Sequence, residues 1–385
     1  RNGGVVEGVW VFTRHGDRTP NRPLCAPHMI DDEASFWRTK LPTPDPVTAF
    51  SHLCQRYPPN VHPSNGDFLD VVRRPFGFLT KKGVEQLKSN GKRFFTRYDF
   101  YGHHCPSTGH ADGDSFLHSW DVKAYSTNYL RTVLSAQCFL DGLLGTNCYT
   151  PDRGDSKIEN DEDSRLIPTN KDQLLPNTQP DQNTVPVEIR NREDDRLNAF
   201  DRNPELMKKL ISDVVASDEF CAYDATAAPL AARLANYLPG LTGRRSAGGP
   251  SGINWIDASD HFVCRSAHGV KFLDFTKFEH DNRKEETMKA FAHQVLTHLT
   301  WRFRKWYQNP PLLAAIAAPP LREVVSQMEA TPSMGINERH PFVLYSCHDV
   351  TLLSLLYGIG VDFLADEYKA DWRFWPSYAS TPVFE

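Results

Sequence analysis

The 385-residue chain has no apolar run long enough to cross a bilayer as a helix, which takes about 20 consecutive apolar residues. A membrane span is therefore not expected within it. Positive charge is not in excess: 43 Lys and Arg stand against 48 Asp and Glu, a net charge of −5 at pH 7. Without a basic footprint, nucleic acid is not an expected partner. No Asn-x-Ser/Thr glycosylation acceptor occurs with x other than Pro, which weighs against a secreted glycoprotein. The opening Arg1-Asn2-Gly3-Gly4 does not read as a secretory leader, so any leader would already have been removed. No internal repeat is visible. Metal-ligand spacing is also missing. His28, His52 and His62 are scattered, and His103, His104, Cys105 and His110 have no second ligand pair. No metal and no cofactor are expected.

What is present is ordinary for a globular chain: 40% hydrophobic and 24% charged residues, enough to bury a substantial core. The length suits one large domain with a sizeable insertion, or two domains. The eight cysteines are an even number, which suggests at least two disulfides and a secreted or lysosomal route. The missing glycosylation acceptors point instead to an intracellular organelle.

One stretch stands apart. An apolar run from Val5 to Phe12 reads as a buried strand, then breaks into Thr13-Arg14-His15-Gly16-Asp17-Arg18-Thr19-Pro20. Gly16 suggests a tight turn with no Cβ to obstruct a ligand. Arg14 and Arg18 carry planar forks that match phosphate oxygens. His15 lies between them, and its ordinary pKa of about 6.5 leaves a neutral nitrogen at mildly acidic pH. An imidazole so placed can attack phosphorus while the guanidiniums neutralise the oxygens. Five fixed positions at ~5% usage each would recur by chance on the order of once in ten thousand chains of this length.

The Arg-His-Gly-x-Arg-x-Pro stretch resembles the signature of the histidine acid phosphatases, branch 2 of the histidine phosphatase superfamily. Further segments carry the same resemblance. Leu79-Thr80-Lys81-Lys82-Gly83-Val84-Glu85-Gln86 is similar to the family's helix start, with Thr80 as N-cap. A strand over Asp121 to Ser126 runs into Ser126-Thr127-Asn128-Tyr129-Leu130-Arg131. Thr127 or Asn128 would cap a helix with Arg131 in its first turn, where the dipole favours an anion. Val185 to Arg190 reads as a short strand with an edge proline, and Glu193-Asp194-Asp195-Arg196-Leu197 matches a family element. Helical pieces from Asn203 to Gly269 resemble the family's inserted helical cap. The passage Asp260 to Gly269 matches a family segment in which His268 reads as structural. Glu286 to Gln308 is a long helix whose stripe of Met288, Phe291, Val295, Leu299, Phe303 and Trp306 is core. Phe342 to Ser346 is a buried strand that delivers Cys347-His348-Asp349, similar to the second half of the family signature, with Cys347 in place of alanine. Trp375 to Glu385 resembles the family's late strand. Relatives continue past that glutamate with further sheet, so a longer chain is expected, whose tail could hold a membrane anchor.

The resemblance implies an α/β fold with a mainly parallel central sheet flanked by helices, of the phosphoglycerate mutase type, with an inserted helical cap. One catalytic unit is expected over residues 1–385. Its core would cover about 1–24, 75–190 and 285–385, and its cap and excursions about 25–74 and 191–284. The implied activity is phosphomonoester hydrolysis through a phosphohistidine. His15 would be the nucleophile and Asp349 the proton donor, with Arg14, Arg18, Arg131 and His348 binding the phosphoryl oxygens. The expected partner is a small phosphate monoester, and a homodimer is left open. A phytase shares this core but would need extra basic residues on the cap. Ser126-Thr127-Asn128 and Cys138 resemble the lysophosphatidic acid phosphatase branch. A non-catalytic phosphate-binding module would have lost His15 or Asp349, and neither is lost.

Overall fold

In the computed structural model, the described residues are 6–56, 75–99, 113–146, 185–242, 252–276, 282–331, 339–366, 369–370 and 375–385. The acidic stretch 151–180 and the histidine-rich segment around His103, His104, Cys105 and His110 lie outside them.

The first strand, β1 (Val9–Arg14), starts later than the apolar run suggests and carries the motif's first arginine at its end. All six of its residues are buried, as a central strand covered on both faces requires. The other main strands are β2 (Trp120–Ser126), β3 (Val187–Ile189) and β4 (His340–Cys347). A small hairpin, β5 (Ala365–Asp366) with β6 (Lys369–Ala370), stands apart, and β7 is Val383–Phe384. The five-stranded sheet runs β3-β2-β4-β1-β7. Every neighbouring pair is parallel except β1 with β7, so the expected mainly parallel sheet is present. Opposite Arg14 on β1 lies Cys347 on β4, and opposite Ser126 on β2 lies Ser346. Three strands therefore release their chains at one edge of the sheet.

Helices cover both faces. In chain order they begin with α1 (Ile30–Arg38), α2 (Pro46–Arg56), α3 (Lys81–Tyr98), α4 (Gly113–Ser119) and α5 (Leu130–Leu144). Thr80 caps α3 by accepting from the Gly83 N–H, as the sequence suggests. α5 differs from expectation at its start. Tyr129 is the N-cap and makes no side-chain cap bond, and the Thr127 hydroxyl bonds Thr132 and His348 instead of capping the helix. Gly91 on α3 faces the Phe139 carbonyl, where an added Cβ would come within 2.1 Å, so α3 and α5 touch backbone to backbone.

Between β3 and β4 come α6 (Ala199–Arg202), α7 (Pro204–Val215), α8 (Asp218–Thr226), α9 (Ala228–Tyr237) and α10 (Trp255–Ala267), then α11 (Asn282–Tyr307) and α12 (Pro310–Ala330). The expected stripe on α11 is buried throughout and packs with Met207, Leu234 and Trp255. The prolines that end α11 also open α12: Asn309 caps it, and Pro310 and Pro311 occupy first-turn positions that need no N–H. β4 runs directly into α13 (Asp349–Gly358).

The disulfides suggested by the even cysteine count are not seen among the described residues, where Cys25, Cys138, Cys221, Cys264 and Cys347 are free thiols. Packing separates them. Cys138 lies between α3 and the sheet, Cys347 on the sheet's other face, and the Cys264 sulfur meets Asp260 and Tyr378 at 3.6 and 3.5 Å.

Candidate active site

His15 follows β1 and His348 follows β4. The His15 N–H donates to the Cys347 carbonyl at 3.0 Å, and the two imidazoles lie 5.6 Å apart between centroids. The His15 Nδ1 is 2.9 Å from the Gly16 carbonyl. A proton on Nδ1 satisfies that contact and leaves the Nε2 lone pair for a substrate. Burial, reinforced by Arg131, Arg14 and Arg18, pushes the His15 pKa well below its ordinary 6.5. His348 is shifted the same way, first by burial and then by Arg131; its Nε2 lies 3.1 Å from the Thr127 hydroxyl. Both rings are therefore neutral at mildly acidic pH.

Gly16 has a different reason from the expected one. An added Cβ would lie 2.6 Å from the Gly83 carbonyl, and one at Gly83 would lie 2.2 Å from the Asp17 carbonyl. The missing side chains make room for α3 rather than for a ligand.

The arginines differ in how firmly they are held. Arg14 binds Asp349 at 2.7 Å, donates to the Pro376 carbonyl, and lies over the Tyr378 ring at 4.4 Å. Arg18 binds the buried carboxylate of Asp260 at 2.7 Å. Burial alone would lower the Arg18 pKa, but Asp260 carries it well above its ordinary value. Arg131, in the first turn of α5, makes no ion pair among the described residues and rests over Tyr129 at 4.7 Å. Burial, then Arg18, lowers its pKa to about 10, which still leaves it a cation. In all three arginines the Nε–H is buried without a partner among the described residues. Each such donor costs about 1–3 kcal/mol until an acceptor arrives, and a phosphoryl group brings several.

Asp349 opens α13. Its Oδ2 accepts from Arg14 at 2.7 Å and from the Trp375 indole N–H at 3.0 Å, and its Oδ1 from the Val350 N–H at 2.9 Å. Burial pushes its pKa up, but Arg14 and the Trp375 bond outweigh it and hold the carboxyl below its ordinary value. In the resting site Asp349 is ionised.

All six residues singled out in the sequence thus converge: Arg14, His15, Arg18, Arg131, His348 and Asp349. Sequence reasoning missed Asp260, Trp375, Tyr378 and Thr127, which hold them. Each lies inside a segment that carries the family resemblance, but nothing in its identity says which group it contacts across the fold. His268 reads correctly as structural. Its Nε2 meets Asp17 at 2.7 Å, one of four polar side-chain contacts from α10 or its end to the N-terminal segment. The others are Asp257 with Arg22 and Asp260 with Arg18, both at 2.7 Å, and Arg265 with Glu33 at 2.6 Å.

A cavity of about 620 Å³ opens beside this cluster. Arg14, Arg18 and Asp349 stand at one end, and Val263, Phe272, Leu296, Leu299, Phe303 and Trp375 line the rest. Among the described residues, no group of His, Cys, Asp and Glu could hold a metal ion.

No curated protein matches the chain. Solved structures to which it is similar include a phytase from Klebsiella sp ASR1, at 13% identity and TM-score 0.45, covering 92% of this chain and 73% of that one. Another is a Hafnia alvei phytase in complex with tartrate, at 11% identity and TM-score 0.47, covering 98% and 80%. A third is a Bifidobacterium longum multiple inositol polyphosphate phosphatase in complex with inositol hexasulfate, at 14% identity and TM-score 0.48, covering 92% and 74%. Likeness at this level says nothing of what this chain acts on. The description that matches along the chain is the histidine phosphatase superfamily (branch 2), over residues 5–385. That match takes in both signature motifs and both strand ends where they meet, and the chain belongs to this family.

Proposed function

We propose that this phosphoric monoester hydrolase works through a covalent phosphohistidine at His15. The observation that carries the reading is a neutral imidazole among three guanidiniums whose buried Nε–H groups have no acceptor among the described residues. The Nε2 lone pair of His15 attacks phosphorus as the ester P–O bond breaks. Arg14, Arg18, Arg131 and His348 hold the phosphoryl oxygens and stabilise charge as it develops. The leaving alkoxide takes a proton from Asp349. Because Asp349 rests ionised, that proton enters with the substrate monoanion, which favours acid pH. Water then attacks the phosphohistidine, giving its proton to Asp349, and His15 is released. The cations supply the charge a metal would bring, so EDTA should leave the rate unchanged; a strict metal requirement would contradict this mechanism.

The test is Asp349→Asn in single turnover. General acid catalysis is typically worth ~10²–10⁴-fold on a poor leaving group and far less on a nitrophenolate. The variant should lose most of its phosphorylation rate on an alkyl phosphate and little on a nitrophenyl ester. Equal losses would make Asp349 a positioning group.

The cavity favours a second, narrower reading: a monophosphate carrying a hydrocarbon chain, as in a lysophosphatidate. Among the described residues, the cationic or titratable bases lining it beyond Arg14 and Arg18 are Lys289 and His293, few for a hexaphosphate. A series of alkyl phosphates of rising length, with phytate alongside, tests this. kcat/KM should climb with length and be poor on phytate; the reverse order would favour a phytase.

A further inference from the structure

Trp375 stands where the charged cluster meets the cavity. Its indole N–H reaches Asp349 Oδ2 at 3.0 Å, and its ring meets Phe303 edge-on with centroids 5.0 Å apart. The carboxylate has two other holds. Arg14 must also serve the phosphoryl oxygens, and the Val350 N–H is fixed by the backbone at the start of α13. All three holds border the cavity, but only the Trp375 hold is a side chain of its apolar wall, packed against Phe303 where the leaving group would lie.

We propose that Trp375 is a positioning and specificity-determining residue: it aims Asp349 at the leaving-group oxygen, and its contact with Phe303 makes that aim respond to what fills the cavity. The proposal rests on Asp349 as proton donor. A chain packed against Phe303 and Trp375 fixes the indole, and the indole fixes the carboxylate in line with the breaking P–O bond. A small leaving group leaves the wall unbraced. Chain length should then raise the phosphorylation rate as well as the affinity, an effect that a plain greasy pocket does not produce.

Trp375→Phe keeps an aromatic wall and removes the N–H. A hydrogen bond to a charged acceptor is worth about tenfold or more. Single-turnover phosphorylation of a long-chain alkyl phosphate should fall about tenfold, with its KM unchanged and the nitrophenyl ester affected by less than about twofold. The nitrophenyl rate also reports that the fold is intact. Trp375→Leu, which removes the ring as well, should in addition abolish the gain in rate with chain length. Asp349→Asn is measured in parallel. If it is selective for the alkyl ester while Trp375→Phe harms both esters equally or neither, the role of Trp375 is overturned. If Asp349→Asn is itself unselective, the proton-donor reading falls and this proposal with it.

Discussion

The charged floor of the site and the chamber beside it are built on opposite principles. The floor is held by directional bonds among buried charged and polar groups: Arg14 to Asp349, Arg18 to Asp260, and His348 to Thr127. The chamber is held by packing of Phe272, Leu299 and Phe303, which carries little direction. A floor of this kind loses its geometry when one atom is changed, because a buried charge left alone is costly. A packed wall tolerates exchanges of shape and volume at smaller cost. The difference teaches where chemistry is fixed and where substrate preference can vary.

The largest effect should come from the floor. His15→Ala removes the attacking atom, and loss of a nucleophile of this type costs on the order of 10⁴–10⁶-fold in kcat. Retention of most activity on a nitrophenyl ester would contradict the assignment. Next is Asp260→Ala, which strands Arg18 in a buried site. Breaking such a pair costs about 3–5 kcal/mol. Urea unfolding should show a loss of that size, whereas a change below about 1 kcal/mol would mean that the pair is solvent-screened.

The chamber should respond to substrate instead. Each buried methylene is worth about 0.8 kcal/mol, or roughly fourfold in kcat/KM per carbon of an alkyl phosphate. Leu296→Asp, at a half-buried position on the cavity wall, should flatten that slope while leaving methyl phosphate hydrolysis nearly unchanged. An unchanged slope would place the chain elsewhere.

The smallest expected effect is on pH. The unfolded chain takes up protons at His15 and His348 near pH 6.5, while the folded chain holds both rings neutral to well below it. The unfolded state therefore binds more protons, and stability falls as pH drops from about 6.5 toward the depressed folded values. His348→Asn should flatten this slope in melts taken across that range; an unaltered slope would show that His348 is not buried neutral.

Much of the floor was legible because its residues are local to two motifs. Arg14, His15 and Arg18 lie within five positions, and His348 and Asp349 are adjacent, so strand-end placement brings them together once β1 and β4 pair. The parallel sheet was legible too, since Val9 to Phe12 and Phe342 to Tyr345 are apolar without alternation. What holds the floor was not. Asp260 lies 242 residues from Arg18, and Trp375 lies 26 from Asp349, and no periodicity encodes a contact across such separations. Gly16 was read for the wrong neighbour, because the approach of Gly83 is a property of helix packing. The cysteine count carried no pairing information, because burial alone accounts for Cys25, Cys138, Cys264 and Cys347.

The central claim is the covalent intermediate, and rapid acid quench tests it most directly. The enzyme is mixed with phosphate-labelled ester, stopped within the first turnover, and digested under alkaline conditions. The label should appear on the peptide holding His15 as an acid-labile, alkali-stable adduct, and should be absent from His15→Ala. Release of alcohol and phosphate together, with no label on protein at any time in a turnover much slower than mixing, would contradict it and point to direct attack by water.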